Sequence, residues 1–473
     1  MPNAMSAPSF ESLAARHGER YKWLLLLVVA CGMIAGVLST TSFSVAIPAL
    51  TRHFGLGQSQ VQWAITGFMA AMTIAMLPVA WLIDRFGFRV VFLSAISVLL
   101  ISSIAGSLTT SFSAVVAARI VQGAAAGMLQ PLGPLAVMRL FPSTVQGRAS
   151  GVLGFGIVLA PATAPALGGV LLDQFGWHAI FLLDLPFCLL AAVLGLRLLP
   201  APRERLSKPF DWGGMGLLTL ITVALIEGVA GLQHSDTYTL SGSMLALAVG
   251  AFALFVKRAR QRHHPIISIG LFRHPSFSMG SLVAFSYGFG LYASTLLIPV
   301  FLQNAAGFSA TAAGFALLPS GIALAVVIPI AGRLADRYPP QKLTAIGLAL
   351  FALSFLLFAT FSQEIAFATL ILITVIGRIG LGLVLPALNL ATLRHLEPRH
   401  LGQAAMVTSY LRQVGGVLGI AIAAVFLQWR ESIYGTAHPG IFTAYAQSFL
   451  LVAGVFLIAL VAASRMQAPR PAS

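Results

Sequence analysis

Residues 80–89 read AWLIDRFGFR, and residues 332–342 read GRLADRYPPQK. Each stretch follows a long apolar run and carries an Asp-Arg-aromatic triplet, which begins at Asp84 in the first and at Asp336 in the second. The two aspartates are 252 residues apart, slightly more than half of the 473-residue chain. This spacing raises the question of whether the chain consists of two related halves.

Two further matches recur at almost the same spacing. RIVQG at 119–123 is echoed by RIGLG at 378–382, and PSTVQGRAS at 142–150 is echoed by PRHLGQAA at 398–405. Three matches in the same order at nearly one offset indicate an internal duplication. We therefore predict two homologous halves.

The composition predicts a chain that is embedded in a membrane. Hydrophobic residues make up 58% and charged residues only 9%, whereas soluble domains contain roughly 25% charged residues. Apolar runs of about 20 residues, the length of a membrane-spanning helix, recur along nearly the whole chain. We predict an all-α polytopic membrane protein with fourteen spans. The predicted spans lie at 22–49, 61–83, 90–109, 114–138, 149–172, 179–199, 214–232, 240–256, 279–302, 310–332, 342–361, 365–392, 403–429 and 443–464.

The lysines and arginines predict the orientation, because cytoplasmic loops of membrane proteins carry an excess of them. With both termini cytoplasmic, 23 of the 28 basic residues fall on the cytoplasmic side and two on the opposite side. The other three, Arg119, Arg378 and Arg412, fall inside spans. The net charge of +15 is therefore interpreted as an orientation signal, and no nucleic-acid partner is expected.

The spacing of the repeat also predicts the domain organisation. Six spans with short loops need about 190 residues, so about 60 residues remain for two helices inserted between the halves. We predict a cytoplasmic tail over 1–22, an N-terminal six-helix bundle over 23–200, cytoplasmic linkers and two inserted helices over 201–276, a C-terminal six-helix bundle over 277–464 and a cytoplasmic tail over 465–473.

Several motifs together carry a family resemblance. Arg119, Gln122 and Gly123 match an R-x-x-Q-G motif in the fourth predicted span. WHAIFLLDLP at 177–186 is similar to a W-R-x-I-F-x-x-N-x-P motif, and LRQVGGVLGIA at 411–421 to an L-R-Q-x-G-G-x-x-G-x-A motif. In this ordered set the chain resembles the fourteen-helix drug/proton antiporter branch of the major facilitator superfamily, the EmrB/QacA subfamily. The resemblance implies the major facilitator fold, with two six-helix bundles plus two inserted helices.

The loop after the second predicted span resembles the family motif G-x-L-x-D-R-x-G-R-R/K, with Ala80 where glycine is usual. The resemblance implies a gate, in which this loop locks the halves together in the outward-facing state. A solvated turn is the alternative. The residues expected to gate, in the loop and its repeat, are Asp84, Arg85, Gly87, Arg89, Asp336 and Arg337.

One departure from the family concerns proton coupling. The first helix of this branch commonly reads L-D-x-T-I-V-N-V-A-L-P and carries a carboxylate implicated in coupling, whereas residues 38–48 here read LSTTSFSVAIP. Ser39 replaces the acid. Of the 13 acidic residues, only Asp184 and Glu227 lie within predicted spans, and Asp184 stands where the family has asparagine.

Polar side chains within the spans are the candidates for coupling or for lining a cavity, because intramembrane charges usually serve function. Structural alternatives stay open. Arg119 can be satisfied by backbone carbonyls, and Asp184 can cap a helix. Glu227 can form a peripheral or interhelical hydrogen bond, and Arg412 can serve structural pairing. The candidate set is Ser39, Arg119, Gln122, Asp184, Glu227 and Arg412.

Two other motifs bear on mechanism. Pro165, Gly168 and Gly169 match part of the antiporter motif G-P-x-x-G-G in the fifth predicted span. The resemblance implies a hinge that favours export, and a packing kink is the alternative. RQRHHP at 260–265 is interpreted as a solvated basic loop, so no metal site is expected.

These features predict a secondary transporter that exports lipophilic compounds in exchange for protons by alternating access. The chain has no Walker A motif, so we expect no cofactor and a proton gradient as the energy source. Few carboxylates and three arginines in the spans predict neutral, weakly acidic or monocationic substrates rather than dications. One alternative is a gradient-driven or facilitated carrier of a specific metabolite, with coupling altered or lost at Ser39. A membrane enzyme is the other, but the spans hold no paired catalytic His/Asp set.

The expected partners are the lipid bilayer, a lipophilic small-molecule substrate and protons. The resemblance makes a periplasmic adaptor a candidate partner, for which the short outer loops offer little surface. The expected location is the bacterial inner or plasma membrane, as a multi-pass protein.

Overall fold

The computed structural model describes residues 10–201, 209–233, 235–361, 366–435 and 437–466. Every regular element in these ranges is a helix. The predicted tails and the first linker fall partly outside the described residues. The α-helices are α1 Phe10–His17, α2 Arg20–Ser42, α3 Ile47–Phe54, α4 Gln58–Val61, α5 Trp63–Ala75, α6 Val79–Phe86, α7 Phe88–Ser107, α8 Phe112–Leu129, α9 Leu132–Leu140, α10 Gln146–Phe175, α11 Leu185–Leu198, α12 Trp212–Ala230, α13 Tyr238–Gln261, α14 Pro275–Asn304, α15 Ala310–Arg337, α16 Pro340–Phe358, α17 Phe367–Leu393, α18 Leu401–Tyr434 and α19 Gly440–Ser464.

Several membrane-crossing segments are interrupted. The first consists of α2, a short 3-10 turn at Phe43–Ala46 and α3. In the second, α5 and α6 meet at a bend of 52°. Pro78 stands immediately before α6, and a proline breaks a helix because it lacks the N–H donor and its ring clashes with the preceding turn. Pro131 occupies the corresponding place between α8 and α9.

The protein is a multi-pass membrane protein. Among the described residues, twelve helices are long and apolar enough to cross a membrane, or thirteen if the bent pair of α5 and α6 forms one span. The fifth predicted span, 149–172, overlaps the thirty-residue helix α10, of which several side chains are not described. The count of fourteen therefore stays a prediction, as does the cytoplasmic placement of both termini.

The helices pack as two groups with an inserted pair between them. We call α2 to α11 the N-half and α14 to α19 the C-half. Related pairs pack within each half, such as α5 with α8 and α15 with α17. The inserted helices α12 and α13 pack on each other, and α12 also contacts α5 and α18. Across the halves, α10 packs along α15, and α18 contacts α6 and α9.

At one end of the bundle, helix termini of the two halves are in close contact. We call it the basic end, because the predicted cytoplasmic lysines and arginines lie there. At this end α6, α9, α15 and α17 finish, and α10 and α18 begin. The two repeated Asp-Arg triplets of the sequence lie at this end, on α6 and α15.

Candidate functional site

Arg119 lies in the interior of the N-half, a quarter of the way along the segment formed by α8 and α9. Its side chain is 1% exposed, and it is one of the largest fully buried side chains described. Close packing of α8 on α5 places it there. A Cβ atom on Gly123 would meet the backbone carbonyl of Phe68, so only glycine allows this helix contact.

The guanidinium of Arg119 donates hydrogen bonds to three residues. Nη1 donates to the backbone oxygen of Ser39 at 2.9 Å, to Ser39 Oγ at 3.2 Å and to Gln122 Oε1 at 3.0 Å. Nε donates to the backbone oxygen of Ala64 at 3.2 Å. The backbone carbonyls thus satisfy part of the charge, as the structural alternative for this residue anticipated.

Two aromatic rings enclose the same guanidinium. The Cζ atom of Arg119 lies 4.2 Å from the ring centre of Phe43 and 4.1 Å from that of Phe68. Such contacts between a cation and the face of an aromatic ring are attractive, and more so away from water. They hold the arginine in place without neutralising its charge.

The hydrogen bonds continue from Arg119 to a carboxylate on another helix. Gln122 Nε2 donates to Ser103 Oγ at 2.7 Å, and Ser103 Oγ donates to Asp184 Oδ2 at 3.0 Å. Asp184 is 2% exposed. We call Ser39, Ser103, Arg119, Gln122 and Asp184 the Arg119–Asp184 network. It joins α2, α7 and α8 to the residue at the start of α11.

Asp184 stands at the N-cap position of α11, but its side chain makes no capping hydrogen bond. The alternative of a helix cap therefore does not describe its contacts. Within the described structure, Asp184 Oδ1 and Arg119 Nη2 are buried and make no hydrogen bond. The network thus contains one acidic and one basic side chain, linked through neutral groups.

Glu227, the other intramembrane acid of the sequence, does not join this network. It lies in the last turn of α12, and its side chain is exposed. Ser103, which the sequence reasoning did not select, is part of the network. A single serine in an apolar run gives no signal that distinguishes a functional hydroxyl from one that bonds its own helix.

The centre of the C-half has a different composition. Arg412 Nη2 donates to Gln130 Oε1 of the N-half at 3.2 Å. Arg378 and Arg412 both lie near Tyr287, and Arg412 also lies near Tyr292. Tyr287 thus lies near both Arg412 and Arg378, the echo of Arg119.

At the basic end, Asp336 bridges the two halves. Its carboxylate accepts hydrogen bonds from the backbone N–H groups of Gly147 at 2.6 Å and Arg148 at 2.7 Å. These groups lie in the first turn of α10, where helix N–H donors lack partners and the helix dipole favours an anion. Arg394 Nη2 lies 3.8 Å from Asp336 and donates to the backbone oxygen of Ser143 at 2.9 Å. We call these five residues the Asp336 cluster.

Glycines allow the helices to meet closely beside this cluster. A Cβ atom on Gly147 would meet the backbone oxygen of Gly332, and one on Gly332 would meet the backbone oxygen of Gly147. At the related crossing of α6 and α18, Ala80 stands in place of Gly332. There, a Cβ atom on Gly402 would lie 3.9 Å from Ala80 Cβ and 3.9 Å from Arg139 Nη2. The second crossing is therefore looser.

The other residues expected to gate have distinct contacts. Arg89 donates to the backbone oxygens of Leu199 at 2.6 Å and Leu196 at 2.7 Å, so it caps the end of α11 within the N-half. Gly87 has a φ of 86°, a left-handed conformation that glycine adopts without strain. The guanidinium of Arg85 lies 5.8 Å from the ring centre of Trp81.

Asp84 and Arg337 complete that set. Asp84 lines two cavities at the basic end, of about 220 Å³ and 430 Å³. Arg337 is the last residue of α15 and is exposed. Neither observation tests the gating role, which stays a prediction.

The residues expected to form the hinge lie on α10, which is helical throughout. A Cβ atom on Gly168 would lie 3.4 Å from the backbone oxygen of Ser42, an ordinary contact, and Gly169 has open space beside it. The side chain of Pro165 lies outside the described side chains. The hinge stays a prediction.

Comparison with known proteins relates this architecture to transporters. The chain is 30% identical to a multidrug resistance protein B homolog of Mycobacterium tuberculosis over 416 residues, 86% of this chain and 77% of that protein. It is 25% identical to the riboflavin transporter RibZ of Clostridioides difficile, over 93% of this chain and 97% of that one. It is also 26% identical to the lincomycin resistance protein LmrB of Bacillus subtilis, over 90% and 91% of the two chains.

The fold is shared with a solved structure. The human organic anion transporter MFSD10 superimposes with a TM-score of 0.67 over 93% of this chain and 99% of that one, at 17% sequence identity. The sequence profile of the Major Facilitator Superfamily, whose members are transporters rather than enzymes, matches residues 23–420. The chain therefore belongs to the Major Facilitator Superfamily.

Proposed function

We propose that the protein exports lipophilic compounds in exchange for protons, by alternating access, across the membrane of a bacterial cell. In this proposal α10 completes a set of fourteen spans, and both termini are cytoplasmic, which makes the basic end the cytoplasmic end. The membrane proton gradient supplies the energy, and no cofactor takes part.

The Arg119–Asp184 network is the observation that carries the proposal. Ser39 occupies the place of the acid that the drug/proton antiporter branch carries in its first helix, yet an acid reaches the same arginine from the start of α11. The coupling carboxylate is thus relocated rather than lost. When Asp184 is ionised, the network is neutral overall. When Asp184 binds a proton, the positive charge of Arg119 is left without compensation, which is costly in a membrane interior.

A change of charge in this network can favour a change of conformation. Its members belong to four segments, so any shift of α2 or α11 relative to α8 alters their hydrogen bonds. Arg119 would then adjust the affinity of Asp184 for the proton, and Ser103 and Gln122 would hold the two charges apart. Glu227 has no part in this mechanism, because its side chain is exposed on α12.

The Asp336 cluster supports a closed state at the basic end. The carboxylate of Asp336, in the C-half, accepts two hydrogen bonds from the first turn of α10, in the N-half. Opening this end therefore requires the loss of two backbone hydrogen bonds to a charged group, worth about 1.5–3 kcal/mol each. In our proposal Asp84, Arg85, Gly87, Arg89 and Arg337 form the rest of the gate. Pro165, Gly168 and Gly169 act as the hinge.

Relatives support the class of cargo. A multidrug resistance protein B homolog and lincomycin resistance proteins are among the relatives, each aligned over most of this chain. The likeness to a riboflavin transporter supports the second candidate, a carrier of a specific metabolite. The Arg119–Asp184 network favours coupled efflux, because a facilitated carrier needs no buried group that exchanges protons.

Purified protein in liposomes with an imposed pH gradient tests the proposal. The probes are lincomycin, riboflavin and rhodamine 123, and the wild-type protein should accumulate at least one of them against its gradient. Asp184→Asn should reduce this gradient-driven accumulation about 100-fold, while exchange of labelled for unlabelled probe continues. Asp173→Asn, which removes an exposed acid at the end of α10, is the matched control and should transport normally.

Accumulation that is indifferent to the pH gradient and to its collapse would refute proton coupling and favour the metabolite carrier. Accumulation by Asp184→Asn at the wild-type rate would leave proton coupling intact but refute Asp184 as the coupling residue.

A further inference from the structure

Arg378 and Arg412 lie at the middle of the membrane without an acidic partner. Arg412 follows the first residue of α18, Leu401, by eleven positions, and Arg378 follows the first residue of α17, Phe367, by eleven. At 1.5 Å per residue, each guanidinium is anchored about 16 Å from its end of the bundle. The hydrocarbon core of a bilayer is about 30 Å thick, so both arginines lie near its midplane.

The acidic residues of the C-half that the structure describes lie at helix ends instead. Asp336 is held in the Asp336 cluster, and Glu397 pairs with Arg399. Glu431 lies in the last turn of α18, nineteen residues beyond Arg412. The midplane of the C-half therefore carries two positive charges that the described part of the chain does not neutralise.

Neutral groups complete the surroundings of this arginine pair. In the described structure the only hydrogen bond of Arg412 goes to Gln130, and Arg378 makes no hydrogen bond or ion pair. Both residues are partly rather than fully buried. Tyr287 and Tyr292 add aromatic rings beside the guanidinium groups.

An arginine in a protein keeps its positive charge and presents several N–H donors in a planar fork. That fork matches a carboxylate, sulfonate or phosphate group, which it binds with two parallel hydrogen bonds. Intramembrane charges are normally paired with each other or with backbone carbonyls. Arg412 lies at the contact of the halves and Arg378 lies near the same tyrosine, Tyr287, and neither has an acidic partner among the described residues. The two guanidinium groups therefore fit a site whose counter-ion is the acidic group of the cargo.

From this arrangement we infer that the arginine pair, Arg378 and Arg412, binds the acidic group of an organic anion that has an aromatic body. The inference rests on the proposed export function and names the chemical class of its substrate. The two halves then have different roles. The Arg119–Asp184 network of the N-half exchanges the proton, and the arginine pair of the C-half binds the anionic cargo together with Tyr292 and Gln130.

Binding of two dyes with the same tricyclic scaffold tests the inference. Fluorescein is an anion in mildly alkaline buffer, and rhodamine 123 is a cation. Fluorescence anisotropy with the full-length protein in phosphatidylcholine nanodiscs should show that fluorescein binds at least about tenfold more tightly. Arg378→Gln and Arg412→Gln should each weaken fluorescein binding about tenfold or more, without weakening rhodamine 123.

Charge-conserving variants separate recognition from folding. Arg378→Lys and Arg412→Lys should recover part of the fluorescein affinity, because the positive charge remains. Arg430→Gln is the matched control on the same helix. Its guanidinium lies 4.5 Å from the ring centre of Trp429, near the other end of α18, so its loss should leave fluorescein binding unchanged.

Equal or tighter binding of rhodamine 123, or fluorescein binding that survives both glutamine substitutions, would overturn the inference. A chloride titration in gluconate buffer gives the remaining outcome. If chloride raises the melting temperature while fluorescein fails to bind, the pair holds a small inorganic anion and the organic-anion assignment is wrong. Because binding needs no proton gradient, this result is independent of the transport test of Asp184.

Discussion

The centres of the two halves are built on the same repeat but differ in charge. In the N-half, Arg119 is surrounded by backbone carbonyls and aromatic rings and is connected to Asp184 through Gln122 and Ser103. In the C-half, Arg378 repeats the position of Arg119 in its motif, and the described residues supply no acid. Both halves contain an arginine at this position of the motif. Among the described residues, only the arginine of the N-half is linked to an acid. An arginine linked to an acidic side chain can take part in proton exchange. An arginine without an acidic partner can bind an anion.

Moving the acid within the N-half is expected to produce the largest effect. Ser39 Oγ lies 3.2 Å from Arg119 Nη1, so Ser39→Asp would place a carboxylate directly against the arginine. In an Asp184→Asn background this change should restore coupled transport from about one hundredth to at least about one tenth of the wild-type rate. The measurement is accumulation of the active probe in liposomes with an imposed pH gradient.

Thr41→Asp in the same background is the control for that rescue. Thr41 lies on the same helix, two residues beyond Ser39, and its hydroxyl donates to the backbone oxygen of Val37 at 2.9 Å. Equal rescue by both substitutions, or rescue by neither, would show that contact with Arg119 does not determine whether an acid supports proton-coupled transport.

An acid introduced beside Arg412 should make the C-half resemble the N-half, because its arginines would then have an acidic partner. Gln413 follows Arg412 on α18, is buried, and lies beside Tyr292. Gln413→Glu should weaken fluorescein binding about tenfold and strengthen rhodamine 123 binding, because it compensates one guanidinium. Anisotropy titrations measure both changes. Gln428→Glu, at an exposed position of the same helix, should alter neither affinity, and unchanged dye selectivity in Gln413→Glu would contradict an electrostatic origin.

The two crossings at the basic end provide a second comparison, with a smaller expected effect. An added methyl group on Gly147 would meet the backbone oxygen of Gly332, whereas one on Gly402 finds its nearest atoms at 3.9 Å. Gly147→Ala should therefore cost about 1–3 kcal/mol in the closed state and open the basic end. Gly402→Ala should have little effect.

Spin labels on exposed positions of the two halves, at Thr144→Cys and Tyr338→Cys, measure this opening by double electron–electron resonance. The native cysteines, Cys31 and Cys188, are buried. The label distance should increase in Gly147→Ala and stay near the wild-type value in Gly402→Ala. An equal increase in both variants would show that the close glycine contact does not set the strength of the gate.

Removal of the charge of Asp211, which lies far from the centres of both halves, should have the smallest effect on transport. Asp211 accepts hydrogen bonds from the N–H of Gly214 at 3.0 Å and from Arg258 Nη2 at 2.8 Å. Burial alone would raise the pKa of Asp211, but these hydrogen bonds and the one from Ile266 hold the pKa of the carboxyl below its usual range. The charged form therefore stabilises the fold above the unfolded pKa of about 3.9, and that contribution is lost as the pH falls through the lower, folded value.

Asp211→Asn should thus lower the melting temperature at neutral pH, by an amount that reflects a loss of about 1–3 kcal/mol. The difference from wild type should shrink in strongly acidic buffer, where both proteins lack the charge. Thermal unfolding in detergent measures it. A difference that is the same at both pH values, or a loss of transport as large as in Asp184→Asn, would contradict this account.

Sequence reasoning predicted the helical membrane architecture and the position of Arg119 inside an apolar helix, because hydrophobic run length is a local signal. The duplication and a functional role of Arg119 stay predictions. Sequence reasoning did not predict that Asp184 is connected to Arg119. Residues 119 and 184 are 65 positions apart, and their proximity depends on how the start of α11 packs against α7. Ser103 carried no local signal at all, since its role exists only once Gln122 and Asp184 lie on either side of it.

Glu227 is a residue that the sequence did point to but that lies outside the Arg119–Asp184 network. The same rule that selected Asp184, an acid within an apolar run, also selected Glu227, but α12 places this side chain at its outer surface. Hydropathy cannot distinguish an acid that faces the bundle from one that faces away, because that depends on the rotation of the helix. The family departure at Ser39 is a second signal, because proton coupling without that acid would require a carboxyl group elsewhere.

The central claim is that Asp184 binds and releases the proton, and infrared difference spectroscopy tests it without a substrate. Spectra of the wild-type protein in nanodiscs, recorded in acidic and in neutral buffer, should contain the carbonyl stretch of a protonated, buried carboxyl group. The account predicts that this band is absent from Asp184→Asn and present in Asp173→Asn. A band that persists unchanged in Asp184→Asn would show that another carboxyl group carries the proton.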